Sequence, residues 1–241
     1  MKRVLPVRYL GWSLRDAAVR PAVAALIIAA LATFLVTRIP VTINRESSDL
    51  LMARFVGQFD WLVILIATSG MVAWDRSSGF YRTLFSYPVN PALYYFQRWI
   101  LAGLAATLLI PFAALGFMAV SGSFPYSGPL LVRFLVKYLL LGGITFGFST
   151  VVRADWAVAF VLSAVQSILH GLEVAGVGLS SFTRTVAHIL PPFHVGSFSM
   201  MQVPGYPTGS ELVHALLYGA GILLVTVLVL RFRPLGSGGR T

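Results

Sequence analysis

Residues 74–99 read WDRSSGFYRTLFSYPVNPALYYFQRW and form a long polar interruption between two strongly apolar segments near the middle of the chain. Pro88 cannot continue a helix, and it keeps the residue before it out of helical geometry. Upstream, the hydroxyl of Ser77 or Ser78 can accept a hydrogen bond from the free amides of a first helical turn. The stretch therefore predicts a short helix over about residues 78–87, held between two hydrophobic segments.

Apolar and polar residues of this short helix fall on different faces. Phe80 and Leu84 are four residues apart, and Tyr81 and Phe85 form a second pair beside them, whereas Arg82 falls on another face. Spacing of this kind is typical of a surface helix that buries one side. One interpretation is an amphipathic helix that lies on the membrane surface.

Composition places the chain in a membrane. It is 57% hydrophobic and 11% charged, with a mean hydropathy of +0.82, whereas soluble domains are about 25% charged. A chain of 241 residues has room for six spans of ~20 residues. The net charge of +10 does not indicate a nucleic-acid partner, because cytoplasmic loops of membrane proteins collect arginine. Cysteine is absent, which excludes disulfides and thiolate metal sites.

These observations predict an all-α integral membrane protein with a single transmembrane domain, 1–241. Residues 1–20 are basic and amphipathic and are expected to form an interfacial helix. Pro21 is expected in the first turn of span one, and Pro111 is expected to kink span three. Residues 178–210 are rich in proline and are expected to form broken extracytoplasmic or re-entrant helices before span six. The six predicted spans are about 21–37, 55–73, 95–120, 130–151, 156–177 and 211–230.

Arginine and lysine are distributed unevenly among the connecting segments. With the N-terminus in the cytoplasm, twelve of the 18 basic residues fall on cytoplasmic segments, as the positive-inside rule requires. We therefore expect a multi-pass protein of the inner or plasma membrane with both termini cytoplasmic. This places residues 74–99 inside the cell, with Trp74, Trp99 and Trp156 in an inner aromatic belt.

The central stretch resembles a pattern found in type-2 ABC permeases between their second and third spans, E-R-E-x-G-T-x-E-x-L-L-x-x-P. The matching positions are Asp75, Arg76, Gly79, Leu84, Phe85 and Pro88. The positions that depart from the pattern are Ser77, Phe80 and Arg82. The order of six spans, a short helix after span two and broken helices before span six is also similar to that family.

The resemblance implies a coupling helix that docks on a separate ABC ATP-binding subunit, and a second permease subunit that is either identical or related. It also implies an exporter that binds no cofactor itself, since ATP and Mg²⁺ would be held by the partner. The coupling residues that it implies are Asp75, Arg76, Gly79, Phe80, Tyr81, Arg82, Leu84, Phe85 and Pro88. An ATPase function of the chain itself is excluded, because a P-loop needs a lysine after a glycine-rich turn, and neither Lys2 nor Lys137 follows a glycine. We therefore expect a transport subunit and not an enzyme, with a lipid, a drug or an amphipathic natural product as substrate.

Ionisable residues inside spans are candidates for a substrate pathway or gate, because a charge at mid-helix costs at least ~2.5–3.5 kcal/mol. The candidates are Asp60, Arg133, Lys137, Gln166, His170 and Glu173. We expect Arg133 or Lys137 to lie within ~4 Å of Asp60 or Glu173, the usual limit for an ion pair. The alternative is that these groups pair structurally or snorkel, with no role in transport.

Two other functions remain open at this point. His170 and Glu173 could act as an acid–base pair in an intramembrane enzyme, or the chain could be a secondary transporter outside the ABC class. A metal site is not expected, because His188 and His194 lack a zinc-like spacing. Gly143 and Gly147 form a small-xxx-small pair, which is expected to pack span four within the subunit.

Overall fold

The structure is a computed structural model that describes residues 8–38, 45–80, 90–122, 124–125, 127–178, 180–196 and 208–232. Within these ranges every regular element is helical. The helices are α1 (Arg8–Thr37), α2 (Arg45–Thr68), α3 (Ala73–Ser77), α4 (Pro91–Ala106), α5 (Leu109–Ser121), α6 (Gly128–Lys137), α7 (Gly143–Ser149), α8 (Asp155–Val174), α9 (Ser181–Ile189) and α10 (Gly209–Phe232). A π-helical turn, Tyr138–Gly142, joins α6 to α7, and a 3₁₀ turn, Phe193–Gly196, follows α9.

Six helical segments are long and apolar enough to cross a membrane. They are Arg15–Thr37, Asp49–Ser77, Pro91–Ser121, Gly128–Ser149, Asp155–Glu173 and Gly209–Phe232. The chain is therefore a multi-pass membrane protein, and the prediction of an all-helical protein with six spans is confirmed at this level.

The first span begins differently from the expectation. Helix α1 is continuous from Arg8 to Thr37, and Pro21 lies inside it instead of in a first turn. Pro21 has no N–H to donate to the carbonyl of Ala17, and both residues are buried against neighbouring segments. Such packing allows a spanning helix to continue through a proline.

The second span also begins earlier than the apolar run suggests. Helix α2 starts at Arg45, whereas the sequence placed the span from about residue 55, because hydropathy follows only the hydrocarbon-spanning part of a helix. After Thr68 the chain makes a turn and enters the short helix α3. The turn and α3 are therefore a continuation of span two, and they end beside the stretch predicted to be a coupling helix.

Pro111 interrupts the third span, as predicted. Helix α4 ends at Ala106 and α5 begins at Leu109. The carbonyl of Thr107, which an amide at position 111 would have contacted in a regular helix, accepts from the amide of Ile110 instead, at 3.1 Å. Loss of the proline donor thus shifts the hydrogen bond by one residue and breaks the helix.

The fourth span packs deepest in the bundle. Helix α7 lies against α10, and a Cβ placed on Gly147 would come within 2.9 Å of the Thr226 hydroxyl. Gly143 faces Leu223 of the same helix. The prediction that this glycine pair packs span four inside the subunit is confirmed.

The bundle has two ends, which are named here by the short helix at each. At the α3 end, α2 and α7 finish and α4 and α8 begin; at the α9 end, α5 and α8 finish and α6 and α10 begin. Trp99 is buried between the rings of Phe96 and Tyr138, so its expected place in an aromatic belt is wrong. Trp74 and Trp156 are exposed at the α3 end.

Candidate functional site

An arginine at the α3 end joins three helices. Arg98 of α4 donates through Nη1 to the Asp75 carboxylate of α3 at 2.6 Å, and through Nη2 to the Asp16 carboxylate of α1. Arg98 and Asp75 are buried, and the guanidinium lies over the Tyr94 ring. A buried arginine needs such carboxylate partners, because an unpaired charge in this position would be strongly destabilising.

The start of α4, the helix that carries Arg98, is stabilised by the residue before it. Asn90 accepts hydrogen bonds through Oδ1 from the amides of Ala92 and Leu93, and Pro91 occupies the first turn. Both features are typical of a helix N-terminus. The start of α4 is therefore fixed locally, and this fixes the position from which Arg98 reaches α3.

The turn between α2 and α3 is held by two side chains, one from the last residue of α7 and one from the first residue of α8. The Ser149 hydroxyl accepts from the amides of Val72 and Ala73, at 2.9 and 3.1 Å. The Asp155 carboxylate accepts from the Ser69 hydroxyl at 2.9 Å and from the Gly70 amide at 2.7 Å. These contacts satisfy backbone donors that a helix start leaves without intrahelical partners.

A further contact joins α3 to the end of span four. Arg76 donates through Nη1 to the carbonyl oxygen of Thr150 at 2.6 Å. We refer to these contacts together as the α3 network, and its side chains are Asp16, Ser69, Asp75, Arg76, Arg98, Ser149 and Asp155. The network connects α3 and the turn before it to α1, α4, α7 and α8, so this segment is fixed to four spans and not only to its own.

Only the beginning of the predicted coupling helix lies within the described residues. Gly79 has φ +72°, a left-handed conformation that glycine adopts without strain. The Ser78 hydroxyl accepts weakly from the Phe80 amide, at 3.5 Å, and Phe80 packs partly against the core. Of the other predicted coupling residues, Asp75 and Arg76 belong to the α3 network. Those that lie outside the described residues are Tyr81, Arg82, Leu84, Phe85 and Pro88.

A second site lies inside the bundle. Lys137 of α6 donates to the Asp60 carboxylate of α2 at 2.6 Å, and both side chains are buried. Both residues lie near the middle of their spans. The expectation that Arg133 or Lys137 pairs with Asp60 or Glu173 is confirmed by this one pair. Two buried opposite charges neutralise each other, and the pair avoids the cost of a lone charge in hydrocarbon.

The ion pair lies next to an irregular part of span four. The π-helical turn begins at Tyr138, directly after Lys137, and the Tyr138 hydroxyl donates to the carbonyl oxygen of Trp99 at 2.5 Å. The Tyr138 ring lies against Gly103 of α4, where a Cβ would approach ring carbon Cε1 to 2.5 Å. A π turn widens the helix locally and is common at functional sites.

Two of the remaining candidates, Gln166 and His170, lie at the α9 end and contact His194. The sequence did not predict that His194 contacts them. Gln166 Nε2 lies 2.8 Å from His194 Nδ1, and the rings of His170 and His194 stack with centroids 4.3 Å apart. Burial lowers the pKa of His194 below its ordinary value, the neighbouring His170 lowers that pKa further, and Glu211 opposes the shift. The neutral imidazole is therefore the form that this site favours.

Among the residues that the structure describes, Arg133 and Glu173 do not form an ion pair with each other. Arg133 donates to the carbonyl oxygen of Val195 at 3.1 Å, whereas Glu173 is exposed. No hydrogen bond joins His170 to Glu173 in the part of the chain that the structure describes. An acid–base pair of the kind needed for intramembrane catalysis is therefore not assembled between these two side chains.

Several residues of these sites were not identified from the sequence. Asp16 and Asp155 lie in short polar segments, and only the fold shows that they meet Arg98 and the α2–α3 turn. Glu211 could have been found, because Thr208-x-x-Glu211 is a capping box: the Glu211 carboxylate accepts from the Thr208 amide at 2.9 Å.

These features define an all-helical membrane protein in which the α3 network joins several spans at one end and an ion pair is buried inside the bundle. Comparison with models of known protein families finds no match, and neither curated proteins nor solved structures match the chain. The function is therefore inferred from the residues of the chain itself.

Proposed function

We propose that the chain is the membrane-spanning subunit of an ATP-driven exporter, that it forms half of a translocation pathway, and that a separate ATPase subunit binds at its α3 end. The observation that carries this proposal is the α3 network. Arg98 ties α3 to α1 and α4. Ser149 of α7 and Asp155 of α8 tie the turn before α3 to those two helices.

An ATPase subunit can displace the spans of a membrane protein only through a segment that is rigidly attached to them. An isolated surface helix would move in its loop without displacing the spans, because few contacts would hold it. Here the residues that precede the predicted coupling helix are bonded to four spans. The buried side chains among those that make these bonds are Asp75, Arg98, Ser149 and Asp155. A displacement imposed on that helix would therefore be passed to several spans together.

The sequence after Gly79 provides the contact surface in this proposal. Its apolar residues, Phe80, Tyr81, Leu84 and Phe85, would fill a groove on the ATPase, as buried aromatic residues do at interfaces. Arg82 would lie at the rim, where a charge contributes to orientation more than to affinity. A second permease subunit, identical or related, would complete the pathway. The buried Asp60–Lys137 pair is neutral as a unit, which suits an apolar or amphipathic substrate.

Affinity purification of the tagged chain in mild detergent tests this proposal. We expect an ATP-binding subunit to co-purify with the wild-type chain, and the double variant Leu84→Asp and Phe85→Ala to lose both this subunit and ATP-dependent transport. Arg82→Ala is the milder comparison and should retain most of the subunit. All variants should insert normally into the membrane. If the double variant keeps the ATPase and full transport, the stretch is a surface helix and the proposal fails.

A secondary transporter is the second candidate, and the buried Asp60–Lys137 pair is the observation that favours it. Ionisable pairs inside membranes often belong to ion or proton pathways. The energy source separates the two candidates. Transport by an ABC exporter stops when ATP is depleted at constant proton gradient, whereas a proton-coupled transporter stops when an uncoupler removes the gradient at constant ATP.

A further inference from the structure

A cavity of about 520 Å³ opens at the α3 end between α1 and the α2–α3 segment. Its volume is within the range of small-molecule sites, roughly 300–1,000 Å³. Asp16 and Arg20 line it from α1, Trp74 and Asp75 from α3, and Arg98 of α4 lies at its inner side. The cavity therefore combines charged groups of both signs with an aromatic side chain.

The positive and negative side chains around this cavity are equal in number, but not all of them form ion pairs. Arg98 serves both Asp16 and Asp75, so these three side chains together keep one negative charge. Arg20 is exposed and has no carboxylate within ion-pair distance among the described residues. The Asp16 side chain is 37% exposed and uses only Oδ2 for Arg98. One negative and one positive site thus remain available, four residues apart on the same face of α1.

The residues around the opening of the cavity indicate that it lies where the hydrocarbon region of the membrane begins. Arg20 is the last charged residue before the apolar part of α1. On the other side of the opening, Trp74 and Ile66 are exposed, and tryptophan is typical of the headgroup level of a membrane. A molecule in the cavity would therefore place its polar part between α1 and α3 and its apolar part in the lipid.

We propose that this cavity binds the headgroup of a membrane phospholipid of the ethanolamine type. Its phosphate would contact Arg20, and its ammonium group would donate to the free oxygen of Asp16. The acyl chains would leave the cavity past Ile66 and Trp74. Such a lipid would be a bound component of the protein and not its transported substrate. The lipid site does not depend on the proposed role in ATP-driven export.

The charge arrangement selects a zwitterion over an anionic lipid. An anionic headgroup would neutralise Arg20 but would also approach the negative charge that remains on Asp16, Asp75 and Arg98, and like charges at short distance are unfavourable. An ethanolamine headgroup satisfies both free sites. A choline headgroup has the same charge, but its quaternary nitrogen has no N–H to donate to Asp16, so it loses a charge-assisted hydrogen bond.

Native mass spectrometry of the full chain with lipids of identical acyl chains tests the site, and no ATPase is present in this assay. We expect one ethanolamine phospholipid to bind about tenfold more tightly than the glycerol or choline lipid, the effect of one hydrogen bond to a charged group. Soluble phosphoethanolamine is the competitor. Displacement of the lipid at equal concentration would show that the ligand is a soluble phosphate ester and would overturn the assignment to a lipid.

Two variants and a control locate the binding. Arg20→Gln should weaken ethanolamine lipid binding by roughly tenfold, and Asp16→Asn should reduce the preference for ethanolamine over choline lipid, because its amide oxygen is a weaker acceptor than a carboxylate. Arg38→Gln changes an arginine outside the cavity and should leave binding unchanged. Thermal unfolding of each variant shows whether it is folded, which matters for Asp16→Asn because it touches the α3 network. Unchanged binding in folded Arg20→Gln, or preference for the anionic lipid in the wild-type chain, would overturn the proposal.

Discussion

Among single residues, Lys137 and Asp60 depend on each other most strongly. Removal of one partner leaves the other as a lone charge inside the bundle, which costs about 3–5 kcal/mol. We therefore expect Lys137→Met to lower the free energy of unfolding by that amount in detergent. The double variant Asp60→Leu and Lys137→Met removes both charges and should recover most of the loss. Denaturant titration measures both effects, and equal destabilisation by the single and double variants would contradict the pairing.

His194 makes the α9 end sensitive to acid. The pKa of His194 is lowered in the folded protein by burial and by His170, whereas the unfolded chain has the ordinary value of about 6.5. The unfolded state therefore binds a proton first, and stability that is present above pH 6.5 is lost as the pH falls below it. We expect the thermal midpoint to fall between about pH 7 and pH 5, and His194→Gln to reduce this fall.

Sequence reasoning predicted the buried ion pair, and it named Gln166 and His170 at the α9 end, but it did not predict their contacts with His194. The expectation was that Arg133 or Lys137 pairs with Asp60 or Glu173, because a lone charge in a span is costly. This argument needs no knowledge of the fold, but it does not say which of the four residues pair. The contact of His194 with Gln166 joins a 3₁₀ turn to α8 across 28 positions of sequence. Nothing local to His194 indicates that contact, since it results from how α9 and the following turn fold back.

At the scale of elements, the close contact between α4 and the π-helical turn provides a test of packing. A Cβ on Gly103 would come within 2.5 Å of the Tyr138 ring, which cannot easily shift because its hydroxyl is bonded to Trp99. We expect Gly103→Ala to destabilise the protein by about 1–3 kcal/mol, as overpacking does.

Gly221→Ala is the matched control for this substitution. It adds the same methyl group to a spanning helix at a position with no atom within 4 Å, and alanine should be neutral or slightly stabilising there. Thermal unfolding in one detergent compares the two variants. Equal stability of the two would show that α4 and the π turn are not packed as closely as described.

The elements that the sequence predicted best are those set by local chemistry. Pro111 breaks span three because it lacks a backbone donor. Pro21 lacks the same donor but remains inside α1, because packing around it offsets the loss. The π turn after Lys137 was not predicted, since it is decided by how Tyr138 fits against α4 and not by any local signal.

For the whole molecule, the number of spans followed from hydropathy, because each crossing needs about 20 apolar residues. The α3 network did not follow, because Asp16, Asp75 and Arg98 come from three separate segments. Their polar positions were visible in the sequence, but their convergence depends on how α1, α3 and α4 pack. The function proposed for that end depends on this convergence.

The side of the membrane on which Ser86 lies tests the coupling proposal most directly, because an ATPase can bind only from the cytoplasm. The chain has no cysteine, so single cysteines at Ser47, Ser86, Ser127 and Ser237 can be labelled without further changes. An impermeant thiol reagent added outside intact cells should modify the cysteines at positions 47 and 127 only. Labelling at position 86 from outside would contradict both the orientation and the role of the α3 end.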